Sequence, residues 1–349
     1  MLRLARRWAS LSALRTAGMA TGMPAVPGAE AMQQPLVLSV VMLVLLVAAS
    51  FSQPEGRLAA AAERTPPGGE ALQVLITTSE LVVGQNRFAF GLLQHHKLLD
   101  DASVAVRVYA IHDQQAQLTA ETPALYHKLE VVEQGNQVHI HPDGSRHVHS
   151  AATDVQGIYV APVTFVRPGP WGLEILAQQG DGPVEAARLS VNVLEVSRTP
   201  LRGAPAPRSR NLIASDVSDL RQIDSSEPSD PRLHQTRIAD AIAQGKPQVI
   251  VFATPKFCTS RVCGPVVDVV RTLIPTYGSR VVFIHQEIWQ TGSSQQFSPT
   301  VQEWNLQSEP WIFVVDGQGM IRAKFEGLTT RRELEAALRH MLGLVPLMP

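Results

Sequence analysis

Cys258 and Cys263 are the two cysteines of this 349-residue chain. They stand close enough in sequence to act on one another, and paired thiols support thiol–disulfide exchange. In that chemistry one thiolate attacks a disulfide and its neighbour resolves the mixed disulfide. The β-branched run Val249–Phe252 just upstream predicts a strand buried on both faces. Downstream, Val262–Tyr277 is apolar at Val266, Val267, Val269, Val270, Leu273 and Ile274, which predicts a largely buried helix. A turn through Thr254-Pro255 would then deliver Cys258 to the helix N-terminus, where the dipole favours the thiolate. On a regular helix, residues five apart lie about 8.6 Å from each other, beyond the roughly 7 Å limit of a disulfide. A Cys258–Cys263 bridge therefore needs Cys258 in the turn or an unwound first helical turn. Arg261 could support the thiolate, its alternative being a solvated arginine. His285, ending the predicted strand 280–286, could lie near the same edge or be a satisfied strand-end histidine. The alternative to redox chemistry is a fixed structural disulfide in an exported protein, although closing so short a loop gains little chain entropy.

A second constellation is His139-Ile-His141-Pro-Asp-Gly-Ser-Arg-His147-Val-His149. Gathered on one face, His139, His141, His147 and His149 would suit copper or zinc. A two-residue Asp143-Gly144 turn pairs His141 with Arg146 and separates the two histidine sets. An odd-length loop would gather all four. The turn residues favour the first register.

These sites must be positioned by a chain with 45% hydrophobic residues and a formal charge of −1. That is enough to bury two domain cores, and it gives no electrostatic ground for a nucleic-acid partner. Residues 1–34 are basic, with Arg3, Arg6, Arg7 and Arg15 against Glu30. Residues 35–52 are apolar and read as a transmembrane or signal segment, with Ala48-Ala49-Ser50 offering a cleavage site. The arginine bias places the chain beyond this segment outside the cytoplasm, anchored in the cell membrane or, if cleaved, secreted or periplasmic. Met32 is an alternative start. Residues 53–71 read as a linker, and 72–196 as seven or eight short strands in an immunoglobulin-like all-β sandwich. Residues 197–232 read as a second linker. In 233–345 the order is helix, strand, cysteine turn and helix, strand, short helix, strand pair and closing helix, an α/β pattern.

Two stretches add resemblances. Gly157–Phe165 followed by Pro168-Gly-Pro-Trp-Gly-Leu-Glu-Ile175 resembles the closing hairpin of FixH/YtkA-like extracytoplasmic β-sandwich domains, which implies a fold and no reaction. The strand–Cys–helix unit, Glu309-Pro310 before a strand, the Asp316-Gly317-Gln318-Gly319 turn and a terminal helix resemble extracytoplasmic thioredoxin-like (redoxin/TlpA-like) domains over residues 211–345. The resemblance implies a thioredoxin fold, a cis Pro310 facing the active cysteine, and thiol–disulfide exchange with extracytoplasmic protein partners and no required cofactor. The C-x4-C spacing departs from the family's C-x2-C. It matches Q-type peroxiredoxins, whose upstream pattern is not met here, although Thr254 and Arg261 stand nearby. Cys263-Gly-Pro-Val266 reads as a thioredoxin motif without its second cysteine, which leaves open which cysteine is the nucleophile. Copper handling by the histidine hairpin and the cysteine pair, or a non-catalytic interaction domain, are the other readings of function.

Overall fold

Along Gly84–Gln94 the side chains of Phe88, Phe90 and Leu92 are wholly buried in one cluster, whereas Ala89 between them joins another. This is the period-2 signature of a strand with two different faces, and it explains how the molecule is assembled. The structure is a computed structural model and describes residues 71–344 except 96, 114, 130–136, 141–145, 150–155, 259–261 and 291–295. Its first strands are β1 (Gln73–Ile76), β2 (Gly84–Gln94), β3 (Lys97–Leu98), β4 (Ser103–His112) and β5 (Gln115–Lys128). There follow β6 (Gln137–Ile140), β7 (Arg146–His149), β8 (Gly157–Phe165), β9 (Gly169–Gln178) and β10 (Glu185–Val193). Eight of these form one continuous sheet, in the order β1-β2-β8-β5-β4-β9-β10 with β3 on β2. The first part of β5 pairs with β4 and its last four residues pair with β8, so one long strand carries the sheet around a shared core. That core is filled by Phe88, Phe90, Val106, Tyr159, Phe165, Trp171 and Ile175.

The remaining elements are α1 (Ile238–Ala243), β11 (Gln248–Phe252), α2 (Cys263–Tyr277), β12 (Val282–Gln286), α3 (Pro299–Glu303), β13 (Trp311–Val315), β14 (Ile321–Glu326) and α4 (Arg331–Met341). The sheet order is β12-β11-β13-β14, with β11 parallel to β12 and the other pairs antiparallel. Every residue of β11 and β13 is buried. Val249 and Val251 face a cluster with α2 and α4. Ile250 and Phe252 face one with Trp304, Ile238 and Ile242. The first cluster also takes in Ala89, Leu129 and Ile158 from the large sheet, so the two sheets share a core.

Several expectations are corrected by this architecture. Eight of the ten strands described in 72–196 form a single sheet curled nearly into a barrel, with β6 and β7 paired apart from it, where two facing immunoglobulin-like sheets were expected. The reason is β5, whose 14 residues serve both halves. The predicted C-terminal α/β thioredoxin fold is likewise overturned. The described residues are mostly β-sheet, and their four α-helices have only 6, 15, 5 and 11 residues. The expected helix over 233–244 breaks into a 3-10 turn at Pro231–His234 and the six residues of α1. What exists is a small mixed sheet whose helix-covered face is completed by the barrel wall. No helix among the described residues is long and apolar enough to cross a membrane. The membrane assignment therefore has no support there, and the segment 35–52 on which it rested lies outside the described residues.

The seam between the sheets is polar and specific. Arg87 donates from Nε and Nη2 to the two oxygens of Glu333 at 2.7 and 3.2 Å, and also to the carbonyls of Glu326 and Leu328. Glu333 also accepts from the Thr330 backbone at the start of α4. Gly327, at φ +72°, crosses the seam so closely that a Cβ would stand 2.8 Å from the Thr77 carbonyl oxygen. Burial works against ionisation of Glu333, but the His127 ring 3.5 Å away and the charge and hydrogen bonds of Arg87 outweigh it and hold the carboxyl at about 2. A carboxyl depressed from its ordinary 4.5 stabilises the fold above that value and loses the contribution as pH falls towards 2. Arg87→Ala leaves a mostly buried carboxylate unpaired and is expected to cost about 3 kcal/mol at pH 7. Chemical denaturation of both proteins between pH 7 and pH 2 checks this: the variant should lose part of the wild-type dependence on pH, and equal midpoints at pH 7 would refute the role.

Candidate functional site

The two sulfurs meet where β11 ends. Phe252 closes a strand buried on both faces, and the chain leaves it through a turn in which the Phe257 N–H donates to the Thr254 carbonyl at 3.2 Å. Cys258 follows that turn in irregular backbone and is partly exposed, whereas Cys263 is the first residue of α2 and wholly buried. They form a disulfide with Cα atoms 6.0 Å apart, inside the range a bridge allows. The expectation that Cys258 sits at the helix N-terminus is corrected: Cys263 holds that position, because the helix does not begin until Val262 has capped it. Cys258 lies off the helix, and this brings the pair within bonding reach. Arg261 lies outside the described residues.

Glu309 was named in the sequence only as the neighbour of Pro310, yet its carboxylate stands with both sulfurs in a group whose ligand atoms all lie within 4.8 Å of one another. The Glu309–Pro310 peptide is cis and Pro310 is buried. Burial pushes the Glu309 carboxyl up, a bond from the Thr254 N–H at 2.8 Å opposes that, and the nearby Glu287 carboxylate adds repulsion. The result is a carboxyl raised to about 7. Thr254 is wholly buried and serves as a strut: its N–H holds Glu309, and its Oγ1 accepts from the Ile288 N–H at 3.1 Å.

Behind the turn, His285 at the buried end of β12 bonds through Nε2 to the Ala253 carbonyl at 2.9 Å. Its Nδ1 faces Asp224 Oδ1 at 3.4 Å, and His234 Nε2 lies 3.1 Å from Asp224 Oδ2. Asp224 is wholly buried and accepts from the Ser226 and Asp230 N–H groups, each at 2.9 Å. Burial disfavours its charge, but the contact with His234 and the adjacent His285 ring outweigh this and hold the carboxyl well below the usual carboxylate range. Asp224 was missed in the sequence because it falls among Pro, Ser and Arg residues with no hydrophobic period, and His234 because it falls inside the helix expected from 233 onward. The clue available there was the Asp-Ser-Ser and Ser-Asp-Pro chemistry of Asx turns.

The other candidate site is only partly described. In the β6–β7 pair, His139 stands opposite His147 and Ile140 opposite Arg146. This is one residue away from the register that an Asp143-Gly144 two-residue turn would impose, so the expected pairing of His141 with Arg146 is corrected. His141 itself lies outside the described residues, and His149 pairs with Gln137.

No family model and no curated protein matches the chain. Among solved structures it is similar to murine CRIg, at 12% identity over 36% of this chain and 99% of that one, with a TM-score of 0.20. A likeness so slight bears on neither fold nor function.

Proposed function

We propose that the protein performs thiol–disulfide exchange through Cys258 and Cys263, with Glu309 as the proton-handling group. The observation that carries this reading is a partly exposed sulfur bonded to a buried one, with the Glu309 carboxyl, which burial pushes up to about 7, beside both. In the reductive direction the Cys258 thiolate attacks a partner disulfide, and one partner sulfur leaves as a thiolate. Glu309, ionised, takes the proton from the Cys263 thiol. The Cys263 thiolate attacks Cys258 Sγ, closes the intramolecular bridge and expels the second partner thiolate. The oxidative direction is the reverse. Exposure makes Cys258 the sulfur that meets the partner, and the N-terminus of α2 favours the Cys263 thiolate that resolves it. A partner is then a protein thiol or disulfide in an oxidising, extracytoplasmic compartment, where a disulfide persists.

A second reading is favoured by the same cluster. When the bridge is open, two thiolates and the Glu309 carboxylate form a donor set for a soft cation such as copper(I). Copper(I) titration of the reduced protein, with and without Cys263→Ser, separates metal capture from exchange.

Cys263→Ser should leave the first step intact, stall resolution and accumulate a mixed disulfide on Cys258 with a model dithiol-forming substrate, whereas Cys258→Ser should trap at least tenfold less. Equal trapping by both variants, or by neither, would remove Cys258 as the attacking sulfur. In the wild type the rate of resolution should rise through an ionisation near pH 7 and lose that inflection in Glu309→Gln. The same substitution should raise the stability of the oxidised form above pH 7. A carboxyl raised from 4.5 to about 7 favours folding only while protonated, and its opposition grows as pH rises through that range. Partial exposure limits the gain to on the order of 2 kcal/mol. An unchanged pH profile in Glu309→Gln would leave Glu309 a bystander.

A further inference from the structure

The donor and acceptor accounting around His285 does not close with neutral side chains. The Ala253 carbonyl is an acceptor only, so the hydrogen bond at 2.9 Å requires the proton of His285 on Nε2. A neutral imidazole then turns the lone pair of Nδ1 toward Asp224 Oδ1, another acceptor, at 3.4 Å. Nδ1 is buried with no hydrogen-bond partner, and His285 is only 1% exposed. Leaving such a group unsatisfied is costly, so a positive charge belongs between these atoms.

We propose that Asp224, His234 and His285 form a buried site for a divalent transition-metal ion, with zinc as the representative. Three donor atoms, one from each residue, lie within 4.8 Å of one another. In a tetrahedral zinc site with bonds near 2.0–2.1 Å, neighbouring donors stand about 3.3 Å apart. Each histidine nitrogen stands at about that spacing from one carboxylate oxygen, His234 Nε2 at 3.1 Å from Oδ2 and His285 Nδ1 at 3.4 Å from Oδ1, so the ion would take Asp224 through both oxygens. The surrounding shell is also of the kind that orients ligands. Ala253 fixes the His285 ring with Nδ1 inward, and the Ser226 and Asp230 N–H groups fix the carboxylate. A cavity of about 330 Å³ is lined in part by Ile223, His285, Gln286 and Glu287, so it touches the cluster at His285. Two histidines and one carboxylate are hard to intermediate donors, suited to zinc, cobalt(II) or iron(II) and unlike the sulfur pair beyond the turn. The site does not depend on the redox reading.

The test uses the full chain, oxidised so that the cysteines cannot ligate, with His139, His141, His147 and His149 changed to Asn so that the hairpin cannot. After chelator treatment and desalting, zinc uptake is measured against a chromophoric chelator. The expected result is one equivalent bound, with affinity lowered at least 100-fold by His234→Gln and by His285→Gln. Cobalt(II) should give visible ligand-field bands without thiolate charge transfer. If the variants do not fold, the cobalt spectrum of the folded background protein decides alone. Failure to take up zinc or cobalt overturns the proposal. So do binding undiminished in folded variants, and ring nitrogen shifts showing His285 protonated at both positions with equimolar zinc present.

Discussion

The carboxyl end of β11 imposes the constraint on which the rest of the site depends. A strand buried on both faces has to release its chain into a turn without water to satisfy the backbone. The molecule meets that demand with side chains: His285 takes the Ala253 carbonyl, Glu309 takes the Thr254 N–H, and Thr254 in turn takes the Ile288 N–H. Groups recruited to satisfy buried backbone become buried titratable groups. Unusual proton affinities consequently gather around the two sulfurs. Chemistry and architecture share the same few atoms here.

The same turn divides the labour of the cysteines. Had α2 extended back through Cys258, the sulfurs would have stood too far apart to join. Starting the helix at Cys263 leaves Cys258 on irregular backbone, partly open to solvent, and keeps its partner dry. The Asp224 cluster stiffens the turn from behind, since Ser225 Oγ accepts from the Lys256 N–H at 3.2 Å and the Ser225 N–H donates to Glu287 at 2.6 Å.

The sequence was legible where one physical signal dominated. The strand pair and closing helix expected at the end of 233–345 are present as Trp311–Val315, Ile321–Glu326 and Arg331–Met341. An unbroken apolar run and a Thr330–Glu333 capping box each leave a clear trace. Strand β5 was largely illegible. Its first seven residues, Gln115–Glu121, are all exposed and so show no apolar alternation, and a strand defined by its neighbours rather than by its own burial carries little pattern. Missing β5 is why a curled single sheet was expected as two. The region 197–232 was read as a linker, yet it contains the 3-10 turns Ala214–Asp216 and Leu220–Gln222 and carries tertiary contacts. Ser209 bonds Trp304 at 3.0 Å, and Asn211 receives the first N–H of α1 at 2.8 Å. Asp224 and Glu309 were invisible as site residues because their roles arise from what folds against them.

The wall of the barrel is also the floor beneath α2 and α4, through Ala89, Leu129 and Ile158. Each half presents an apolar surface shaped for the other, so transplanting either into a new host would expose a greasy scar. A cut between the two sheets would bare that surface on both pieces, so neither is built to stay dry without the other.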